Sequence, residues 1–258
     1  MKDLSLPGNW KYTSSEEEGL HEIITPENSA CKLTWIFRLN LKKGREYILV
    51  HDELELNPVS FCGDFEIGYE DEAFHLSKLD AVYLPARQKL RIKALEDINM
   101  FIGGTPYEGK GEFFVRKYDL SMPIGNIRQV HGESPFRRDV FMLVNQEVPA
   151  SRMITGITTG DPGMWTSWPP HQHSNDLEEV YCYFDIPSPR SAFHFASRRP
   201  GEFETVLPVS TGDCVVIPEG YHPTLGMPGV KSSYYWIMAA HRPESRRYDL
   251  AVNDPVFS

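Results

Sequence analysis

The chain has 258 residues, 41% hydrophobic and 12% aromatic, which supplies enough apolar side chain for two small cores and excludes global disorder. Its 26 Lys plus Arg against 36 Asp plus Glu leave a formal charge of −10 with no basic run to offset it, which argues against a nucleic-acid partner. The opening MKDLSLPGNWKY lacks an apolar targeting core, and no run approaches the roughly 18 apolar residues of a membrane span, so a cytoplasmic protein without membrane contact is expected.

Twenty prolines and 19 glycines punctuate the chain and leave little room for helix. Short β-branched and aromatic runs lie between them. In chain order these are Leu33–Phe37, Glu46–Val50, Phe65–Tyr69, Ala81–Leu84, Phe113–Val115, Val140–Val144, Met153–Ile157, Glu179–Phe184, Cys214–Ile217 and Tyr234–Met238. Many short strands at this spacing predict an all-β sandwich or barrel. Cys31, Cys62, Cys182 and Cys214 stand singly with no CxxC pair, so reduced, packed thiols are expected in a cytoplasmic chain.

A weak repeat divides the chain. Asp80-Ala-Val-Tyr-Leu-Pro85 and Asp213-Cys-Val-Val-Ile-Pro218 each set four apolar residues between Asp and Pro, and the copies lie about half the chain apart. Duplication predicts two similar β-domains, 1–130 and 131–258, meeting where Pro, Gly and charge cluster at 125–140.

The chemistry concentrates in the second half. His21, His51, His75 and His131 are isolated and read as surface or hydrogen-bonded structural residues. The segment Pro169-Pro-His-Gln-His-Ser-Asn-Asp-Leu-Glu-Glu-Val-Tyr is different. On an extended chain His171 and His173 point to one side, because side chains alternate with period two. A carboxylate follows at Glu178 or Glu179, and Pro218-Glu-Gly-Tyr-His222 presents a third imidazole at a turn after a strand. Three imidazoles and one carboxylate suit Zn, with Mn, Fe or Ni as alternatives, and leave coordination positions open. Glu178 has the commoner spacing from His173, but alternation puts Glu179 on one face with Tyr181 and Tyr183, and Glu178 with Val180, Cys182 and Phe184. The tyrosine face suits a polar pocket, so Glu179 is taken as the ligand and Glu178 as a carboxylate either at the rim or behind the ligands.

The HxH…E and PxGxH pair resembles the two motifs of cupins, whose fold is a jelly-roll barrel. More specifically, SWPPHQHSNDLEEVYCYF (167–184), GDCVVIPEGYHP (212–223) and YYWIMAA (234–240) resemble the 5-deoxy-glucuronate isomerase family, bicupins of bacterial inositol catabolism. GDFEIGYEDEAFHLSKLDAVYLPARQKLRI (63–92) is in keeping with that family's inactive cupin. The resemblance implies a bicupin with a degenerate first barrel and a metal-dependent conversion of 5-deoxy-D-glucuronate into 5-dehydro-2-deoxy-D-gluconate.

Such an isomerisation needs charge stabilisation on oxygen and a group to shuttle a proton. Tyr181, Tyr183, Tyr221 and the non-ligand Glu178 are the candidates for the second role. A sugar-acid substrate calls for a local cation, sought among Arg152, Arg190, Arg198, Arg199 and Lys231, while Trp165 and Trp168 are possible walls. Competing classes are another uronate ketol-isomerase of the 5-keto-4-deoxyuronate type, an iron or nickel cupin dioxygenase, and a non-catalytic sugar-acid sensor. The first half has Pro85-Ala-Arg-Gln where the second has PEGYH, so no metal is expected there, and two barrels with strand edges favour a homo-oligomer.

Overall fold

The computed structural model describes residues 3–257. Among the described residues the regular structure is strand, apart from three short 3₁₀ turns at Pro7–Asn9, Pro243–Ser245 and Tyr248–Leu250. No helix is long and apolar enough to cross a membrane. All ten runs foreseen as strands overlap strands, and all four cysteines are free thiols.

The halves repeat one topology. The first large sheet runs Phe114–Arg116, Ala81–Tyr83, Leu54–Cys62, Ile98–Pro106, Trp35–Leu41, Gly19–Ile24. The second runs Lys11–Thr13, Asp213–Ile217, Leu177–Tyr183, Ser233–Ala240, Met153–Gly160, Arg138–Val144, Arg128–His131. Each is faced by a four-stranded sheet, giving two β-sandwich barrels. At the ends of the two Asp–Pro motifs the pairing corresponds, Leu56 bridging Leu84 as Glu179 pairs with Ile217. Sheet pairing crosses residue 130 at two places. Lys11–Thr13 crosses over to pair with Thr13↔Asp213 register, and Arg128–His131 joins the second sheet as well.

The two interiors differ in kind. The first barrel is filled by a cluster of its own, including Leu39, Leu56, Ile67, Leu84, Ile92 and Met100. Leucine therefore stands at the register position of Glu179, and its aliphatic side chain offers no ligand atom for a cation there. The second cluster fills the other barrel and extends through Val59, Phe61, Tyr83 and Phe101 into the first half. Phe61 sits 4.8 Å from Phe184 and 6.2 Å from Tyr235, ring to ring.

Two of the longest first-half strands escape the sequence pattern because they carry punctuation. Leu54–Cys62 contains Pro58, which cannot donate to a ladder. Toward Ala81–Tyr83 that ladder is interrupted, and the Asn57 side chain donates to the Val82 carbonyl instead (2.6 Å). Ile98–Pro106 contains Gly103, where an added Cβ would run into the Tyr235 hydroxyl and ring. Gly103→Ala is therefore expected to destabilise by about 1–3 kcal/mol through overpacking. Thermal unfolding checks this, and an unchanged Tm would mean that Tyr235 moves aside freely.

Candidate metal centre and cavity

The strand Leu177–Tyr183 carries the centre, and all seven of its residues are buried. Alternation divides its two faces as expected. Glu179 and Tyr181 line the cavity, together with Tyr234, Trp236 and Met238 of the neighbouring strand. The HxH segment pairs as His171–Gln172 with Val252–Asn253 and then turns, with the Asp176 and Leu177 amides both donating to the His173 carbonyl (2.9 Å each). Downstream, Gly220 adopts a φ of +86°, and a Cβ there would collide with the Ser197 carbonyl. Its amide donates to Ser174 Oγ (2.9 Å), which ties the turn bearing His222 to the segment bearing His173.

His173, Glu179 and His222 offer ligand atoms within 4.8 Å of one another, all buried. The His171 ring stands 4.8 Å from that of His222 and 6.4 Å from that of His173, at the cavity wall. The three imidazoles share one hydrogen-bonding pattern. Nδ1 of His171 lies 3.0 Å from the Pro169 carbonyl, that of His173 3.0 Å from Leu177, and that of His222 2.9 Å from Gly220. A backbone carbonyl accepts only from an N–H, so each Nδ1 holds a proton and Nε2 is the atom left for a metal, which at His173 requires loss of the proton its Nε2 shares with Glu179.

The donor set fits a cation on a second ground. His222 Nε2 is buried without a hydrogen-bond partner, although it lies 3.2 Å from Glu179 Oε2. Such an orphan is costly unless another group satisfies it. The Glu179 carboxylate also accepts from His173 Nε2 at 3.0 Å. Burial pushes the Glu179 carboxyl up, but the imidazoles of His173 and His222 outweigh it and hold it down to about 2. Burial works against a charged His173, and the Glu179 carboxylate overrides that, raising its pKa. His171 is held down to about 3 by burial and by its two imidazole neighbours, so it is a neutral donor. The cluster thus holds positive charge beside an ionised carboxylate, a place where a divalent ion can replace a proton.

The cavity has a volume of about 180 Å³. At about 10–15 Å³ per water-sized sphere it admits roughly 12–18, enough for the dozen or so non-hydrogen atoms of a six-carbon sugar acid.

Other expected residues lie elsewhere. Glu178 is not at the rim. It turns to the opposite face and accepts from the Lys32 and Leu33 amides (2.7 Å each) and Thr34 Oγ1 (2.8 Å), because strand alternation sends consecutive residues to opposite sides. Tyr183 shares the Glu179 face but sits deeper than the cavity lining, with its hydroxyl bonded to His194 Nδ1 (2.7 Å). Tyr221 is outside the lining, while Trp168 is part of it and Trp165 packs behind, 4.8 Å away ring to ring. Arg152, Arg198 and Arg199 pair with Glu108, Glu204 and Glu202, and Arg190 and Lys231 line a separate depression. The cation in the cavity wall is Arg138, with His131 beside it. Sequence reasoning missed Arg138 because the apolar run was started at Val140, and it read His131 as an isolated structural residue. Extending the alternation back by two residues would have put Arg138 on the inner face.

The KduI/IolB family model matches residues 10–257. The chain belongs to the KduI/IolB family. Among the relatives of this KduI/IolB chain, the 5-deoxy-glucuronate isomerase of Bacillus subtilis strain 168 is 26% identical, over 92% of this chain and 90% of that protein. The 5-deoxy-glucuronate isomerase of Geobacillus kaustophilus is 26% identical over 67% of this chain, and the match spans 64% of that relative's length. Among solved structures, an IolB-like protein from Salmonella typhimurium LT2 superposes with a TM-score of 0.84 at 20% identity, over 97% of this chain and 98% of that one. A cupin 2 conserved barrel domain protein from Leptotrichia buccalis gives 0.55 at 13% identity, covering 88% and 91%. Bacillus subtilis oxalate decarboxylase, a protein with Mn(II) centres, gives 0.61 at 14% identity, covering 95% and 79%. The fold is cupin-like, as expected.

Proposed function

We propose that this KduI/IolB-family chain is a metal-dependent aldose–ketose isomerase that converts 5-deoxy-D-glucuronate into 5-dehydro-2-deoxy-D-gluconate in the cytoplasm. The observation that carries this reading is the set of backbone-locked imidazoles around an ionised Glu179 at the wall of a sugar-sized cavity. Relatives of the chain bear that activity as their name.

His171, His173, Glu179 and His222 would hold the ion, and a zinc ion suits their nitrogen and oxygen donors. When bound, it would supply Lewis-acid polarisation of the substrate carbonyl. The residues then have distinct tasks. Glu179 brings the negative charge that retains a cation in a buried site. The Nδ1 bonds to backbone carbonyls fix the imidazole rings so that each Nε2 stays directed inward.

Tyr181 is a hydroxyl of the lining beside the ligands, with its ring 5.8 Å from that of His222 and 4.1 Å from that of Tyr234. Burial first, and then the Glu179 charge, push its pKa well up, so it remains a phenol and donates its proton to a substrate oxygen rather than abstracting one from carbon. The Ser167 hydroxyl, 3.2 Å from the Tyr181 oxygen, orients it. Trp168 and Trp236 line the same cavity and exclude water from the reacting carbons.

Proton NMR of 5-deoxy-D-glucuronate incubated with the protein in D₂O tests the proposal. The anomeric signals should disappear with deuterium entering the carbon beside the new carbonyl, stop after chelation and resume on adding metal. Turnover of 5-keto-4-deoxyuronate instead would transfer the reading to the other uronate isomerase class. Oxygen uptake without isomerisation would replace it with a dioxygenase.

A further inference from the structure

The cavity wall carries one permanent cation. Among its described lining residues Arg138 is the sole Arg or Lys. It stands on the inner face of Arg138–Val144, one register step from Val140 and directly opposite His131 on the edge strand. Several other arginines of this half are neutralised, as Arg137 is by Asp139 and Asp161. Arg138 forms no ion pair among the described residues, because its neighbour Asp139 alternates to the other face and pairs with Arg128 and Arg137.

Two carbonyls hold the guanidinium without cancelling its charge. Nη1 donates to Trp168 (3.0 Å) and Phe136 (3.3 Å). A guanidinium has five N–H groups in a planar fork, so donors remain for a carboxylate. The neighbouring His131 adds no charge, since burial and the Arg138 guanidinium both lower its pKa. In a chain of net charge −10, an anionic substrate is favoured where a local cation receives it.

Resting on the sugar-acid reading above, we propose that Arg138 is the carboxylate anchor of this site, binding the acid end of the substrate while its carbonyl end meets the His173–Glu179–His222 cluster. Anchoring one end fixes which carbon pair faces the cluster, so Arg138 sets specificity for uronates over neutral aldoses. The contact is present before and during the reaction, so most of its energy is uniform binding and appears in KM, while its part in orienting the carbon pair appears in kcat.

The experiment compares wild type, Arg138→Gln and Arg138→Lys as metal-loaded proteins. Calorimetry measures binding of D-glucuronate and of its neutral amide, and NMR measures turnover of 5-deoxy-D-glucuronate. Loss of a hydrogen-bonded charge pair should raise the glucuronate Kd and the substrate KM of Arg138→Gln about 10- to 100-fold, lower kcat by a smaller factor, leave amide binding nearly unchanged, and be partly rescued by lysine. Equal glucuronate binding by wild type and Arg138→Gln overturns the proposal. Should the glutamine variant fail to fold, equal binding of acid and amide by wild type overturns it instead. An Arg138-dependent preference for the acid with no turnover of 5-deoxy-D-glucuronate retains the anchor and rejects the substrate.

Discussion

Replacing His222 with alanine is expected to abolish metal retention while leaving the metal-free fold nearly as stable as before. The side chain is buried at 1% exposure, and its removal leaves a cavity, which costs stability. The same change removes Nε2, a buried polar atom with no partner in the metal-free cluster, whose desolvation costs about 1–3 kcal/mol. These terms oppose each other, so the metal-free Tm should move little. The metal-loaded state tells the two proteins apart. An ion present at 100 times its Kd stabilises the protein that binds it by about 2.7 kcal/mol, so added zinc should raise the Tm of wild type and not of the variant. Turnover should fall by more than the roughly 10–100-fold caused by losing a partner outside the ligand set. Elemental analysis after dialysis reads the binding directly. One ion per chain in His222→Ala would remove His222 from the ligand set and leave its orphaned nitrogen unexplained.

Period-two alternation made much of this site legible. It separates Glu179 from Glu178, and the structure puts them on opposite faces of Leu177–Tyr183. The same rule placed Tyr181 and Tyr183 on the Glu179 face, but it says nothing of depth along the barrel. Tyr183 therefore bonds to His194 below the cavity while Tyr181 reaches its wall. The HxH motif announced itself by spacing. What supports it did not, because the strand Val252–Asn253 that pairs with it is two residues long and exposed on both. Strand centres were legible where they were purely apolar. They were not where function or packing placed a proline, a glycine or a charge, as at Pro58, Gly103 and Arg138. The surface cations nominated for the substrate failed for a related reason. Sequence shows that an arginine is present, and only the folded sheet shows whether a carboxylate already neutralises it.

Glu55→Ala is expected to be the most destabilising single substitution outside the site. Glu55 is fully buried and accepts from five donors: Tyr83 Oη (2.5 Å), Thr105 Oγ1 (2.7 Å), and the amides of Ser151 (2.8 Å), Arg152 (2.8 Å) and Met153 (2.9 Å). The three amides belong to the second half, at the start of Met153–Gly160. The register of the repeat makes Glu55 the counterpart of Glu178, each one residue before the Leu56 or Glu179 position. Glu178 makes the reciprocal contact, with the amides of Lys32 and Leu33 and the hydroxyl of Thr34, ahead of Trp35–Leu41. Each half thus extends one buried carboxylate to the backbone of the other, and a role shared by both barrels explains why Glu178 is unavailable for chemistry. Removing Glu55 strands several buried donors at once, and breaking a buried charged network costs about 3–5 kcal/mol. At roughly 2–4 °C per kcal/mol for a chain of this size, the Tm should fall by about 6–20 °C. Glu55→Gln should fall less, since one carbonyl oxygen can still accept. The two carboxylates should differ in one respect. Glu178→Ala frees the strand that bears Glu179 and should weaken metal retention, whereas Glu55→Ala should keep its ion at temperatures where it remains folded. A Tm for Glu55→Ala within 2 °C of wild type, below even the low end of the roughly 6–20 °C expected, would mean that the apolar contacts of Phe61 with Phe184 and Tyr235 hold the halves together without the carboxylates.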